Sequence, residues 1–461
     1  MTDFAALLMH DAGQAARRLM LVDGEGCAAW LATQGERVRA LVGAARFSGK
    51  AGTFVVLPGD GGEWEAVVGV PADALGPWDL AALAGALPAG VYRADAPVGL
   101  AGLGWLLAQH RFDRYRKPSD VEGARVLLVA GDPGERVRLA EASALVRDMV
   151  DTPASDMGPD MIAAAVQAQA RAFGAEVQVV LGEALLPADG HAGFPMVHAV
   201  GRAAAVAPRL IDLRWGNPAH PKLTLVGKGV SFDSGGLDIK GAAGMALMKK
   251  DMGGAAHALA LARLVMGARL PVCLRLIIPA VENAISGNAF RPGDVLTSRK
   301  GLTVEIGNTD AEGRLILADA LALACEDKPD LLLDFATLTG AARVALGPDL
   351  PALFSHDDSL AAALCAAGTA AGDPLWRMPL WAPYQDMLKS GIADLNNAGE
   401  GGFAGAVTAA LFLDRFVEKG TRWAHIDLFA WNPTARAGRP KGGSAMTLAA
   451  CLGVVKTMIS A

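Results

Sequence analysis

The chain has five cysteines, Cys27, Cys273, Cys325, Cys365 and Cys451, and no two of them form a Cys-x-x-Cys pair. An odd, widely spaced set excludes the spacing of a disulfide framework and of a zinc–thiolate site, and it fits a reduced, cytoplasmic setting. No apolar run reaches the length of a bilayer span before charge, glycine or proline interrupts it. The stretch MTDFAALLMHDAG carries Asp3 and no basic segment before its short apolar run, so it does not read as a signal peptide. A phosphate loop, a His-Glu-x-x-His helix and a Gly-x-Ser-x-Gly elbow are all missing, as are solenoid repeats and low-complexity tracts. The net charge of −6, with a pI near 5.8, does not favour a general nucleic-acid binder, although it leaves a local basic patch open.

What is present can bury a large core. Of 461 residues, 52% are hydrophobic and 20% charged, which suits two folded domains and not a disordered chain. TFVVLPGD and ARVLLVAGD read as buried strands and WDLAALAGAL as a helix, with no catalytic cluster among them. Two helical patterns then flank DTPASDMGP, whose Pro, Ser and Asp punctuate them. The expected division is a smaller N-terminal α/β domain over residues 1–122, a connecting segment with a bridging helix over 123–151, and a larger domain over 152–461. In that larger part PKLTLVGKG, VCLRLIIPAVEN, DLLLDFATLTGAA and RWAHIDLFAW read as strands, while MGGAAHALALARLV and LILADALALACE read as helices. Such alternation predicts an α/β fold with a mainly parallel sheet, where sites gather at the carboxyl ends of strands.

Three glycine-rich segments lie at those predicted strand ends: VGKGVSFDSGGLDIKG, MKKDMGGAA and NTDAEGRL. They carry Lys228, Asp233 and Lys240, then Asp251, then Asp310, Glu312 and Arg314. Taken singly, Asp251, Asp310 and Glu312 read equally well as acids at helix starts, and Lys228 as a solvated loop lysine. Taken together, four converging carboxylates need neutralising, and bound divalent metal does that most simply. Hard oxygen donors without a nearby Cys or His suit Mn²⁺, Mg²⁺ or Zn²⁺. Four acids are many for one ion and suit two, a known device for hydrolysis. His425, in an apolar strand, reads as a satisfied core histidine; His257 has no evident acid partner; Cys273 and Cys325 read as core.

VGKGVSFDSGG, DIKG, KKDMGG, NTDAEGRL and ATLTGA, in that order, closely resemble the leucine aminopeptidase (cytosol aminopeptidase) family, with NTDAEGRL as its specific signature. The likeness runs from about Asp151 to Asp427; ADLNN and AGAVTAALFL also look familial, and the first 120 or so residues match loosely. The resemblance implies an exopeptidase that removes N-terminal residues, leucine or other apolar ones preferred, from peptides. It implies two divalent ions, Mn²⁺ or Zn²⁺, held by Lys228, Asp233, Asp251, Asp310 and Glu312, with Asp233 and Glu312 touching both. It implies Lys240 and Arg314 as catalytic groups: Lys240 stabilises the oxyanion, and Arg314 anchors a bicarbonate that carries the proton. Thr337, Leu338 and Gly340 would line the substrate cleft together with Lys240, and Met248 part of the side-chain pocket. A homohexamer is implied as well. The late segment HIDLFAWNPTARAGRPKGGSAMTL departs from the family pattern at Trp431, Asn432 and Arg436, which bears on the outer pocket. The readings from other classes are a DNA-binding architectural role and a different two-metal hydrolase such as a phosphoesterase.

Overall fold

The computed structural model describes residues 2–59, 63–117, 123–188, 190–399 and 401–460. The chain divides into two units: residues 1–144 with 434–441, and residues 145–433 with 442–461.

The first unit is built on strands β1 (Leu8–His10), β2 (Arg17–Val22), β3 (Phe54–Pro58), β4 (Trp64–Gly69), β5 (Gly90–Ala94) and β6 (Arg125–Val129), ordered β1-β6-β5-β2-β4-β3. All pairings are parallel except the β3–β4 hairpin. Alternate residues of the strands serve two separate cores. Leu19, Ala66 and Val68 pack with Tyr92 and Trp105, while Met20, Val22 and Val67 face Cys27, Val42 and Leu57. That is the period-2 signature of a sheet covered on both faces. The segment WDLAALAGAL does contain a helix, Ala81–Ala86.

In the second unit the strands of the two larger sheets are β7 (Glu176–Leu181), β8 (Arg209–Trp215), β9 (Lys222–Gly227), β10 (Gly229–Asp233), β11 (Cys273–Asn283), β12 (Val295–Thr297), β13 (Thr303–Glu305), β14 (Leu331–Ala336), β15 (Ala352–Phe354), β16 (Trp376–Arg377), β17 (Leu395–Asn396) and β18 (Trp423–Asp427). The large sheet runs β16-β15-β18-β14-β9-β11-β8-β7, with β10 paired to β11. Its centre, β18-β14-β9-β11, is parallel; β8, β7 and β15 join antiparallel at the flanks. Every residue of β14 and β18 is buried, as expected where helices cover both faces of a parallel sheet. One such helix, Gly253–Gly267, buries all but two of its residues.

This register decides where the chemistry lies. Gly227 pairs with Phe335, Ala336 with Asp427, and Asp233 with Asn283. The chain segments leaving β9, β14, β18 and β10 therefore emerge side by side, at the carboxyl ends where α/β sheets carry their sites. A small sheet, β12-β13-β17, sets the strand before NTDAEGRL parallel to Leu395–Asn396. Among the described residues no helix is long and apolar enough to cross a membrane.

Two local readings change. Gly227-Lys228-Gly229 is a one-residue step between two strands, not a loop. The helix after NTDAEGRL starts at Glu312, three residues earlier than its apolar run suggests. The polar Glu-Gly-Arg hides that first turn from hydrophobic patterning, because these three residues are buried for a reason other than apolarity.

Candidate active site

Lys228 stands between β9 and β10, and its amide donates to Phe335 O of the neighbouring strand (2.9 Å). Its ammonium points into the sheet end, 2.7 Å from Asp251 Oδ2 and 3.0 Å from Glu312 Oε1, and only 3% of the residue is exposed. The solvated-lysine reading therefore fails. Burial opposes the charge on Lys228, yet Asp251, Glu312 and Asp233 together hold its pKa well above the ordinary lysine value.

Asp233 ends β10. Its Oδ1 accepts from Gly235 N and from Asn283 Nδ2, both at 2.9 Å, which turns Oδ2 toward Lys240 Nζ at 2.7 Å. The turn that follows requires glycine at 235, where φ is +88° and a β-carbon would collide with Asp238 O. Thr309 stitches this turn to NTDAEGRL: its hydroxyl donates to Gly235 O (2.6 Å), while Asp238 Oδ2 accepts from Thr309 N (2.7 Å). Asp310 then meets Lys240 in an ion pair.

Asp251 lies in the 3₁₀ turn Met248–Met252 that abuts the helix Gly253–Gly267. It does not cap that helix. Its Oδ1 accepts from Thr337 Oγ1 (2.8 Å) and its Oδ2 faces Lys228. Nor is Arg314 paired with the acids of its own segment. Its Nη1 donates to Asn397 O (2.7 Å), its Nε has no partner among the described residues, and burial lowers its pKa to about 10.

Lys228, Asp233, Asp251, Asp310 and Glu312 thus come together. One oxygen each from Asp233, Asp310 and Glu312 lie within 4.8 Å of one another. Burial, and then the neighbouring Asp233 carboxylate, push Glu312 well above the usual carboxylate range and Asp310 up to about 6. Asp251 Oδ2, Asp310 Oδ1 and Glu312 Oε1 are buried, and among the described residues they are met by lysine ammoniums alone, Lys228 for the first and third and Lys240 for the second. Carboxylate oxygens gathered on cations in this way are what hard divalent ions suit. The donors fit divalent metal.

Lys228, Asp233, Asp251 and Asp310 of this cluster line a cleft of about 630 Å³. Lys240, Met248, Thr337, Leu338, Gly340 and Arg314 also line it. Thr337 turns its hydroxyl to Asp251, and Leu338 N donates to Asp427 Oδ1 (3.0 Å).

Three positioning residues escape the sequence reading. Asn283 orients Asp233, as above. Asn397 is fully buried; its Oδ1 accepts from Gly307 N (2.8 Å) and its Nδ2 donates to Asn308 O (2.8 Å), clamping the start of NTDAEGRL. Asp427 accepts from Leu338 N, Thr339 N and Thr339 Oγ1, shaping the TLTG turn. Buried Asn and Asp at strand ends were the available signal. His425 is a core histidine, bonded through Nδ1 to Asp334 Oδ1 (2.6 Å). His257 is bonded to Gly253 O and Met446 N.

A sequence profile described as "Cytosol aminopeptidase family, catalytic domain" matches residues 144–452, and one described as "M17 aminopeptidase, N-terminal domain" matches residues 18–128. A probable cytosol aminopeptidase of Syntrophotalea carbinolica is 42% identical over 382 residues, covering 77% of this chain and 76% of that protein. The crystal structure of the cytosol aminopeptidase from Coxiella burnetii superposes with a TM-score of 0.92 at 46% identity, covering 98% of this chain and 99% of that one. The bottromycin maturation enzyme BotP, solved in complex with Mn, superposes with a TM-score of 0.84 at 34% identity, covering 96% of this chain and all of that one.

Proposed function

The chain belongs to the cytosol aminopeptidase family and is a peptidase hydrolase; from that premise we propose that it removes N-terminal residues from peptides with two divalent ions. The observation that carries this reading is the buried set of four carboxylates and one lysine at a single sheet end. Lys228, Asp233, Asp251, Asp310 and Glu312 would hold the ions. Mn²⁺ is a candidate because BotP was solved with Mn, and Zn²⁺ suits the same donors. Bound ions would polarise the scissile carbonyl and make water a nucleophile near neutral pH.

The chain's own groups do the rest. Lys240 lines the cleft beside the acids, and Asp233 keeps it protonated against its burial. It would stabilise negative charge developing on the carbonyl oxygen. Arg314 keeps its proton and so is not the base. Its Nε–H, without a partner among the described residues, suits it to hold an anion such as bicarbonate, which would supply a proton acceptor. Thr337, Leu338 and Gly340 would guide the peptide along the cleft, and Met248 would meet an apolar side chain such as leucine. A lysine amine with four carboxylates, and no histidine among them, supports a peptidase over a phosphoesterase. A cytoplasmic homohexamer completes the proposal.

The test is hydrolysis of leucine p-nitroanilide by metal-free protein, then with Mn²⁺ or Zn²⁺ added, beside Glu312→Ala. Activity should vanish on chelation, return with metal and be absent from the variant. Activity that ignores chelation and survives the substitution would sink the mechanism.

A further inference from the structure

Lys250 sits one residue before Asp251, lines the same cleft, and is only 5% exposed. Among the described residues its ammonium makes no ion pair and no hydrogen bond. The ring of Phe429 lies beside it, 5.1 Å from Nζ to the centroid. The guanidinium of Arg343 lies 4.7 Å from the same centroid. Two cations thus share one aromatic ring, which attracts each of them while they repel one another.

A buried ammonium without a counter-charge is costly, and proteins pair such groups. The acids close enough to serve are committed elsewhere. Asp251 gives Oδ1 to Thr337 and Oδ2 to Lys228. Asp427 gives Oδ1 to two amides and Oδ2 to Thr339 Oγ1. Among the described residues, therefore, the balancing anion is not supplied from within the cleft. We infer that Lys250 and Arg343, set against Phe429, form a subsite for a carboxylate of the substrate.

This rests on the aminopeptidase reading and narrows it. A planar guanidinium and a point-charge ammonium together suit a carboxylate. Such substrates offer it from two sources: an acidic side chain on the N-terminal residue, or the terminal carboxylate of a dipeptide. Either adds a charged determinant to the apolar preference associated with Met248.

The test uses manganese-loaded full-length protein and calorimetric titration. One arm compares L-glutamate with L-glutamine; the other compares a leucylglycine isostere having a reduced peptide bond with its amide. In one arm the carboxylate member should bind about tenfold tighter or more. Lys250→Met should shrink that ratio to within about twofold. Arg343→Gln, at an exposed position, should also shrink it and serves if Lys250→Met does not fold. Equal binding in both arms, or a ratio that survives both substitutions, overturns the subsite. Leucine p-nitroanilide turnover run in parallel separates the two claims. Turnover without discrimination removes the subsite alone; discrimination without turnover of any N-terminal substrate removes the aminopeptidase reading instead.

Discussion

Gly313 lies directly against the side chain of Lys228. A β-carbon at position 313 would stand 2.6 Å from Lys228 Nζ and 2.7 Å from Cδ, with Cε nearer still. The helix Glu312–Glu326 thus approaches the lysine as closely as a peptide backbone allows, and the glycine of NTDAEGRL is the residue that permits it.

Gly313→Ala should therefore damage the site and spare the fold. The lysine's far end can move aside, so the clash costs little stability, and alanine favours a helix over glycine by about 1 kcal/mol. The displaced amine should cost about 10–100-fold in manganese affinity or in kcat/KM, as loss of ligand orientation does elsewhere. Thermal melting beside metal titration checks both halves; a large drop in Tm with unchanged metal affinity would contradict the assignment.

Lys240→Met should lower kcat on leucine p-nitroanilide by about 10²–10³-fold, the usual cost of one oxyanion donor. Manganese affinity should not weaken, because Lys240 occupies the same Asp233 and Asp310 oxygens that an ion would take. Equal kcat values for variant and parent would remove Lys240 from catalysis.

Thr337→Val keeps shape and deletes the hydroxyl that orients Asp251. Manganese affinity should fall about tenfold or more, with a stability loss on the order of 1–2 kcal/mol. Isothermal titration with Mn²⁺ reads the first effect and denaturant unfolding the second. Unaltered affinity would make Thr337 a cleft residue only.

His257 makes the fold sensitive to acid. Its Nδ1–H donates to Gly253 O (2.6 Å) and its Nε2 accepts from Met446 N (3.0 Å), so the ring is neutral and its tautomer set. Burial lowers its pKa from 6.5 to about 4. The unfolded chain binds this proton first, so stability is full above about pH 6.5 and falls as pH drops toward 4. The loss is on the order of 3 kcal/mol by linkage. Urea unfolding of the parent and of His257→Gln at pH 7.5 and 4.5 isolates it: the gap between the two proteins should narrow in acid.

Much of this molecule was legible before any coordinates. Strands such as LLLDFA are apolar at every position but Asp334 because both faces are covered, and their alternation with helices pointed to a parallel sheet. Glu312 was harder to read, since the first turn of its helix is polar and buried, which defeats a rule built on apolar spacing. Asn397 was harder still. Its clamp on Gly307 and Asn308 joins positions about ninety residues apart, and no local pattern records such a bond.

By itself the sequence determined the alternating α/β architecture, the residue types available for metal and the glycine-rich turns that bear them, because periodicity and backbone freedom are local properties. Only the tertiary structure decided that Lys228, Asp251 and Glu312 meet, that Arg314 turns to Asn397 instead of its neighbouring acids, and that Lys250 has no paired anion among the described residues. Those outcomes depend on strand register and on which carboxylate is already committed, and both are settled by parts of the chain far from the residues they govern.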